Sequence, residues 1–187
     1  IKALEDIEKR QIQSSDEARS WMIENQESTS IKVEQLSHAI KVDRSLEALV
    51  ESILGSGLDT LIIDNVDDAA KLCEELESND VKGKVSLAGR NCTSTRRFTK
   101  EDVIDAAKRV GGFALIEKVD ADPIDEAAVL SLLGDVVVCD DIASMLEANK
   151  SDDLGLRFYS KDAHSIDAGG RVIIGGGVDE EGHGVLS

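Results

Sequence analysis

The 187-residue chain contains few aromatic residues: one Trp, one Tyr and three Phe. Proteins that hold single-stranded nucleic acid without sequence preference stack successive bases on aromatic side chains. An extended base-stacking surface is therefore not expected here.

Basic residues are also scarce, since 21 Lys and Arg face 38 Asp and Glu and the net charge is −17. A charge of this size favours solubility and opposes general adhesion to DNA or to anionic membranes. It also fits an acidic, salt-adapted protein without any special function. No apolar run is long enough to span a bilayer, so no membrane partner is expected.

Motifs for metal binding and for nucleotide chemistry are missing from the chain. Cys73, Cys92 and Cys139 are odd in number and widely spaced, as expected of reduced thiols in a cytosolic protein. No Cys or His spacing fits zinc, and there is no G-x-x-x-x-G-K-[ST] loop. We therefore expect no metal, no cofactor, no small-molecule substrate and no catalytic residue.

Residues 1–28 are predicted to form a helix, and the spacing of its apolar residues partly fits a coiled coil. Four of six core positions in the heptad repeat are apolar, with Gln11 and Ser14 as the exceptions. The six positions are Leu4, Ile7, Gln11, Ser14, Ala18 and Trp21. An amphipathic helix packed on the following domain is the alternative.

The remainder alternates predicted helices and strands, which indicates an α/β (mixed α+β) fold with small mixed sheets covered by helices. The predicted helices are 44–54, 66–76, 99–109, 125–133 and 142–148, and the predicted strands are 58–63, 84–88, 113–119 and 136–139, followed by two strands within 156–177.

One segment is repeated within the chain. Residues 48–55 and 127–134 share five of eight residues, and each leads through an apolar strand to an aspartate, Asp64 or Asp140. Two related half-domains would explain this similarity, and chance similarity between Ala- and Leu-rich helices is the alternative. Asp64 or the adjacent Asn65 is predicted to cap the helix that follows, and Asp140 the next one, unless the two aspartates serve a small α/β enzyme or nucleotide-binding domain.

Paired glycines flank the last strand, Gly169-Gly170 on one side and Gly175-Gly176 on the other. Glycine weakens a strand but permits another backbone to approach closely. This pattern favours a sheet edge that pairs with a second chain. Turns around a simple hairpin are the alternative.

In combination, these features resemble the hinge domain of SMC proteins, the chromosome-organising ATPases. The resemblance runs from about Ile31 to Gly177. Three motifs carry it: Leu46–Gly55 followed by Leu58–Asp64, then Leu132–Asp141, and finally Arg157–Asp162 with the glycine-flanked strand. At Ala163 the family commonly has Gly, so the local turn is expected to differ.

The resemblance implies a non-catalytic dimerisation module, preceded by a coiled-coil stump and followed by a linker at 178–187. It implies a hinge at 31–177 with halves at 31–120 and 121–177, in a cytoplasmic, chromosome-associated and prokaryotic homodimer. Two hinges would join two coiled-coil arms into a ring that embraces DNA. The implied interface residues are Gly169, Gly170, Val172, Ile174, Gly175 and Gly176. A monomeric module that binds an accessory protein is a further alternative.

The segment from Val81 to Lys100 is basic, with six basic residues and no acidic one. Such a patch predicts weak, steeply salt-dependent contact with DNA phosphates. Pairing of these charges with neighbouring acids after folding is the alternative. The six residues are Lys82, Lys84, Arg90, Arg96, Arg97 and Lys100.

Overall fold

The computed structural model describes residues 16–93 and 96–175. Helices alternate with strands of two to four residues. The helices are α1 (residues 16–24), α2 (Gln26–Thr29), α3 (Leu36–Ala39), α4 (Glu47–Leu54), α5 (Asp68–Ser78), α6 (Lys100–Arg109), α7 (Glu126–Leu133) and α8 (Ile142–Lys150). The strands are β1 (Val33–Gln35), β2 (Ile40–Val42), β3 (Leu61–Ile63), β4 (Leu87–Gly89), β5 (Phe113–Ala114), β6 (Val119–Ala121), β7 (Val136–Cys139), β8 (Arg157–Ser160), β9 (Ser165–Ile166) and β10 (Val172–Ile173).

These strands form three small sheets. The first has the order β1-β3-β4, and the second has the order β10-β9-β8-β7-β5. The third sheet is an antiparallel ribbon of β2 and β6. Each of the first two sheets contains a fully buried strand, β3 or β7, that has a parallel neighbour on one side and an antiparallel neighbour on the other. The predicted fold of mixed sheets covered by helices is thus confirmed.

The same series of elements occurs twice along the chain. The first repeat is β1-β2-α4-β3-α5-β4 and the second is β5-β6-α7-β7-α8-β8. The pairings are equivalent as well, because β1-β3-β4 has the same order and strand directions as β5-β7-β8. The second repeat begins with β5, so the division expected after residue 120 falls inside β6.

An approximate twofold axis relates the two repeats. The sequence alignment that matches Ala48 with Ala127 also matches Ile40 with Val119 and Val42 with Ala121. In the ribbon, Ile40 lies opposite Ala121 and Val42 lies opposite Val119. Replacing each residue of one pair by its equivalent in the other repeat gives the other pair, as a twofold axis requires. The axis passes between Lys41 and Asp120, which are equivalent to each other and lie directly opposite.

One large apolar core spans both repeats, and a smaller one joins the N-terminal helix to the first repeat. Met22 packs with Leu61, Ile63 and Leu72 in the smaller core. Ala18, at a predicted coiled-coil position, is also buried. Within the described residues, α1 therefore packs on the domain. The predicted coiled-coil positions Leu4, Ile7, Gln11 and Ser14 lie outside the described residues.

The strand predicted for 113–119 is wrong. A 3-10 helix at Leu115–Lys118 separates β5 from β6. The break lets the chain leave the five-stranded sheet and join the ribbon, while Leu115 and Ile116 stay buried. Among the described residues, no helix is both long and apolar enough to cross a membrane.

Candidate functional site

Strand β10 forms an exposed edge of the five-stranded sheet. It pairs with β9 on one side, and within the described residues no strand pairs with its other side. Val172, Ile173 and Ile174 are 40%, 52% and 71% exposed. Three consecutive exposed β-branched residues on an open edge are unusual, because such an edge readily pairs with another chain.

The backbone groups of Val172 and Ile174 face the open side of β10. The amide N of Asp167 donates to the carbonyl O of Arg171 over 3.1 Å, so Arg171 faces β9. Successive residues of a strand direct their backbone groups to opposite sides. Val172 and Ile174 therefore direct their N–H and C=O groups outward, and these are the two apolar residues predicted for the interface.

The glycines beside β10 shape the chain itself. Gly169 and Gly170 lie in the β9–β10 turn, where Gly170 has φ +84° and Asp167 accepts hydrogen bonds from the amides of Gly169 and Arg171. Gly175 has φ +119°, and its amide donates to Nδ1 of His164 over 3.2 Å. The hairpin alternative thus accounts for Gly169 and Gly170. Gly176 lies outside the described residues.

Strand β4 is an edge of the three-stranded sheet, on the far side from β1. Ser86 and Arg90 face β3, because the carbonyl of Ser86 accepts from Leu61 N and the amide of Arg90 donates to Ile63 O. By alternation, Val85 and Leu87 direct their backbone groups away from β3. The equivalent strand of the second repeat, β8, has this side covered by β9. Sequence reasoning missed the β4 edge, because a three-residue strand does not show which neighbour it lacks.

The predicted helix-capping roles of Asp64 and Asp140 are wrong. Asp64 accepts from Arg90 Nη1 over 2.6 Å, and Asp140 pairs with Lys161. Arg90 and Lys161 each directly follow the parallel neighbour of the strand that the aspartate ends. The two ion pairs are therefore repeat equivalents. Asp141 caps α8 instead, by accepting from the amide of Ser144.

The alternative of a small enzyme gains nothing from these carboxylates, since each is already paired with a basic side chain. Among the described residues, no group of three or more His, Cys, Asp and Glu side chains is arranged to hold a metal ion. The buried Cys139 is not an activated thiol either, because burial raises its pKa to about 11.

Folding uses some of the six basic residues internally. Arg90 donates to Asp64, Asp125 and Glu34. Lys100 lies 3.6 Å from Glu126, and the largely exposed Lys82 lies 3.9 Å from Asp80. The pairing alternative thus accounts for Arg90 and Lys100.

Arg96 and Arg157 together hold the C-terminus of α7. Arg96 donates to the carbonyls of Leu130 and Ser131, and Arg157 donates to the carbonyl of Leu132. Both guanidinium groups also approach Asp135, at 3.6 and 2.7 Å. Cations at the free carbonyls of a helix C-terminus are stabilising. Of the six basic residues, Lys84 and Arg97 are the exposed ones with no ion pair to a described residue.

Comparison with known proteins identifies a family. The family described as SMC proteins Flexible Hinge Domain matches residues 32–148. A curated relative, the Chromosome partition protein Smc of Mycoplasma genitalium, is 23% identical over 183 residues. That match covers 96% of this chain but 18% of the relative.

Solved hinge structures share the fold. An asymmetric dimer of the Geobacillus stearothermophilus SMC hinge domain matches with a TM-score of 0.72 and 21% identity, over 99% of this chain and 73% of that chain. The Pyrococcus furiosus SMC protein hinge domain matches with a TM-score of 0.63 and 18% identity, over 93% of this chain and 91% of that chain. The chain therefore belongs to the family of SMC flexible hinge domains.

Proposed function

We propose that the chain is a dimerisation domain in which β10 of one protomer pairs with β4 of a second copy. The observation that supports this is the pair of open edges. The second repeat carries β9 and β10 beyond β8, whereas the equivalent side of β4 in the first repeat has no such cover among the described residues. Each copy therefore offers the kind of strand that the other copy lacks.

Two copies related by a twofold axis would make this contact twice. Each copy contributes one β10 and one β4, so the open sides of β4 and β10 are covered in both copies of a closed dimer. The pairing would align Val172 and Ile174 with the outward groups of Val85 and Leu87. Burial of the exposed apolar side chains of β10 would add to the backbone hydrogen bonds.

The relatives support a proposal for the role of this dimer in a longer protein. The Mycoplasma protein is named for chromosome partition, and the present chain spans 18% of its length. In our proposal, residues 31–177 form the non-catalytic hinge, and residues 1–28 and 178–187 connect it to coiled-coil arms. ATPase heads would lie elsewhere in a full-length, chromosome-associated protein. The dimer would then close one corner of a ring around DNA.

The test compares Ile174→Pro with Ile174→Ala, using light scattering to measure mass over a wide range of concentrations. Both variants lose the exposed side chain, but only proline removes the outward N–H group. We expect a wild-type dimer. Proline should weaken each of the two strand pairings by about 1 kcal/mol or more, which weakens the dimer about thirtyfold or more.

The alanine variant is the matched control and is expected to weaken the dimer less than proline does. Circular dichroism and thermal unfolding check that both variants fold. A wild-type monomer at high concentration would contradict the proposal and direct attention to a heterologous partner. Equal effects of proline and alanine would show that the backbone of β10 does not pair.

A further inference from the structure

The guanidinium group of Arg90 joins the two repeats of the chain. Its Nε donates to Asp125 Oδ1 over 2.7 Å, and its Nη1 and Nη2 donate over 2.6 Å to Asp64 and Glu34. Glu34 and Asp64 belong to the first repeat, whereas Asp125 directly precedes α7 in the second. One planar group is thereby held in three directions, two of them in one repeat and one in the other.

The contact between the repeats is the buried one. The side chain of Asp125 is 3% exposed and that of Arg90 is 17% exposed. The side chains of Asp64 and Glu34 are 67% and 39% exposed. Charge-assisted hydrogen bonds are short and directional, and loss of one partner leaves the other charge buried without compensation. Arg90 and Asp125 are therefore strongly held at one separation and one orientation.

Arg96, which lies in the segment between β4 and β5, also donates to the carbonyls of Leu130 and Ser131 at the end of α7. The remaining contacts between the repeats fix their relative angle less strongly. The β2–β6 ribbon has three residue pairs, and two-stranded ribbons vary most in twist. The apolar core spans both repeats, but hydrophobic attraction has no preferred direction. The planar fork of arginine, by contrast, fixes geometry as well as charge.

The angle between the repeats decides what the two open edges can build. Strand β4 belongs to the first repeat and β10 extends the second, so contact between β10 and β4 of another copy is heterologous. A heterologous contact closes into a dimer only when it corresponds to a rotation of half a turn, and other angles give larger rings or open-ended assemblies.

We propose that Arg90 is a positioning residue, which sets the angle between repeats at which two copies close into a dimer. This inference rests on the proposed dimerisation. With both contacts made at once, the second is intramolecular and the dimer is far tighter than one contact allows. Without the Arg90–Asp125 link, single contacts form but closure fails.

The test measures mass against concentration by light scattering for wild type, Arg90→Met and Asp125→Asn. Wild type is expected to stay dimeric on dilution. For both variants we expect the mass to change with concentration. Either the dimer dissociates at about hundredfold higher concentration than wild type, or assemblies of more than two copies form. Lys161→Met is the matched control, because Lys161 is the repeat equivalent of Arg90 and pairs with Asp140 inside one repeat. This control is expected to stay dimeric.

The double variant Arg90→Leu/Asp125→Leu separates positioning from stability. An apolar pair often replaces a buried ion pair without loss of folding stability, but it lacks the directional hydrogen bonds of the guanidinium group. We expect its thermal midpoint to be near that of wild type and its mass to depend on concentration. It also provides the readout if Arg90→Met does not fold.

The outcomes distinguish this inference from the proposed function on which it rests. A wild-type monomer would overturn the dimer, and the role of Arg90 with it. If wild type and the variants all keep the mass of a dimer on dilution, the proposed role of Arg90 is overturned but the proposed dimer is not.

Discussion

At the scale of single residues, three non-glycine residues in the described part of the chain have positive φ: Ser30 at 58°, Asp80 at 51° and Ala163 at 62°. Aspartate tolerates this conformation better than serine or alanine. The conformation of Ala163 is one that suits glycine. Its methyl group is buried, which offsets part of the strain.

Ser30→Gly is expected to raise the free energy of unfolding by about 0.5–1 kcal/mol. The left-handed conformation costs an ordinary residue about 1–2 kcal/mol, and the extra freedom of glycine in the unfolded chain offsets about 0.4–1 kcal/mol. Because Ser30 is exposed, its side chain contributes little packing. The urea midpoint measures the effect.

Ser28→Gly is the matched control for this prediction, since Ser28 is exposed within α2. Glycine in a helix costs about 0.5–1 kcal/mol, so the two substitutions should act in opposite directions. A fall in the midpoint with Ser30→Gly would contradict the strain argument.

Sequence distance decides which residue roles could be predicted. Val172 and Ile174 lie within one short glycine-flanked segment, and the structure places them together on an open edge. Arg90 meets carboxylates that lie 26, 35 and 56 positions away along the chain. From the sequence, the charge of Arg90 predicts a contact with DNA. Its actual partners could not be predicted, because nothing in the local pattern shows which acidic residues folding will bring to it.

At the scale of elements, helix termini were easier to predict than strands. The helix predicted for 99–109 is observed at Lys100–Arg109, and a capping box between Thr99 and Asp102, only three positions apart, marks its start. Strands β1 and β2, within 33–42, were not predicted, since three residues are too few to show a period of two. Their partners β3 and β6 lie far along the chain, so pairing rather than propensity makes them strands.

The cap of α8 predicts a pH dependence of stability. Hydrogen bonds from the side chain and amide of Ser144 lower the pKa of Asp141 below its usual 3.8. A carboxyl with a lowered folded pKa contributes stability that is complete above the unfolded pKa and is lost as pH falls through the folded pKa. The charged form of the cap is therefore lost in acid.

Asp141→Asn keeps a side-chain acceptor at the cap but removes the titration. We expect the urea midpoint of wild type to exceed that of Asp141→Asn near neutral pH and to approach or cross it below about pH 4. At low pH, protonation of the many acidic residues reduces their mutual repulsion and changes the stability of both proteins. Taking the difference between the two proteins at each pH cancels this shared effect. A difference that stays constant with pH would contradict the role of the charge.

At the scale of the whole molecule, charge is unevenly placed. Lys84 and Arg97, which make no ion pair with a described residue, stand on a chain of net charge −17. Overall repulsion of DNA opposes whatever these residues attract. DNA binding by this segment stays a prediction, now centred on fewer residues than the sequence indicated.

Lys84→Glu/Arg97→Glu is expected to weaken binding of short duplex DNA. Each phosphate interaction that is lost should reduce the dependence of log affinity on log salt by about 1, so loss of both should reduce it by about 2. Fluorescence anisotropy at several salt concentrations measures both affinity and slope. Lys150→Glu is the control, because Lys150 is exposed on α8 outside the basic segment. Equal affinity and slope for all three proteins would contradict the prediction.

The β2–β6 ribbon has a further consequence for how the chain distinguishes its own halves. In a pairing of two identical first repeats through β2, the twofold axis would place Lys41 opposite a second Lys41. Two identical second repeats would likewise oppose Asp120 to Asp120. Like charges directly across a ladder are destabilising, whereas the observed Lys41–Asp120 register is complementary. The residues on the axis thus favour pairing of unlike halves within one chain over pairing of like halves between chains, which leaves self-association to strands outside the ribbon, such as β4 and β10.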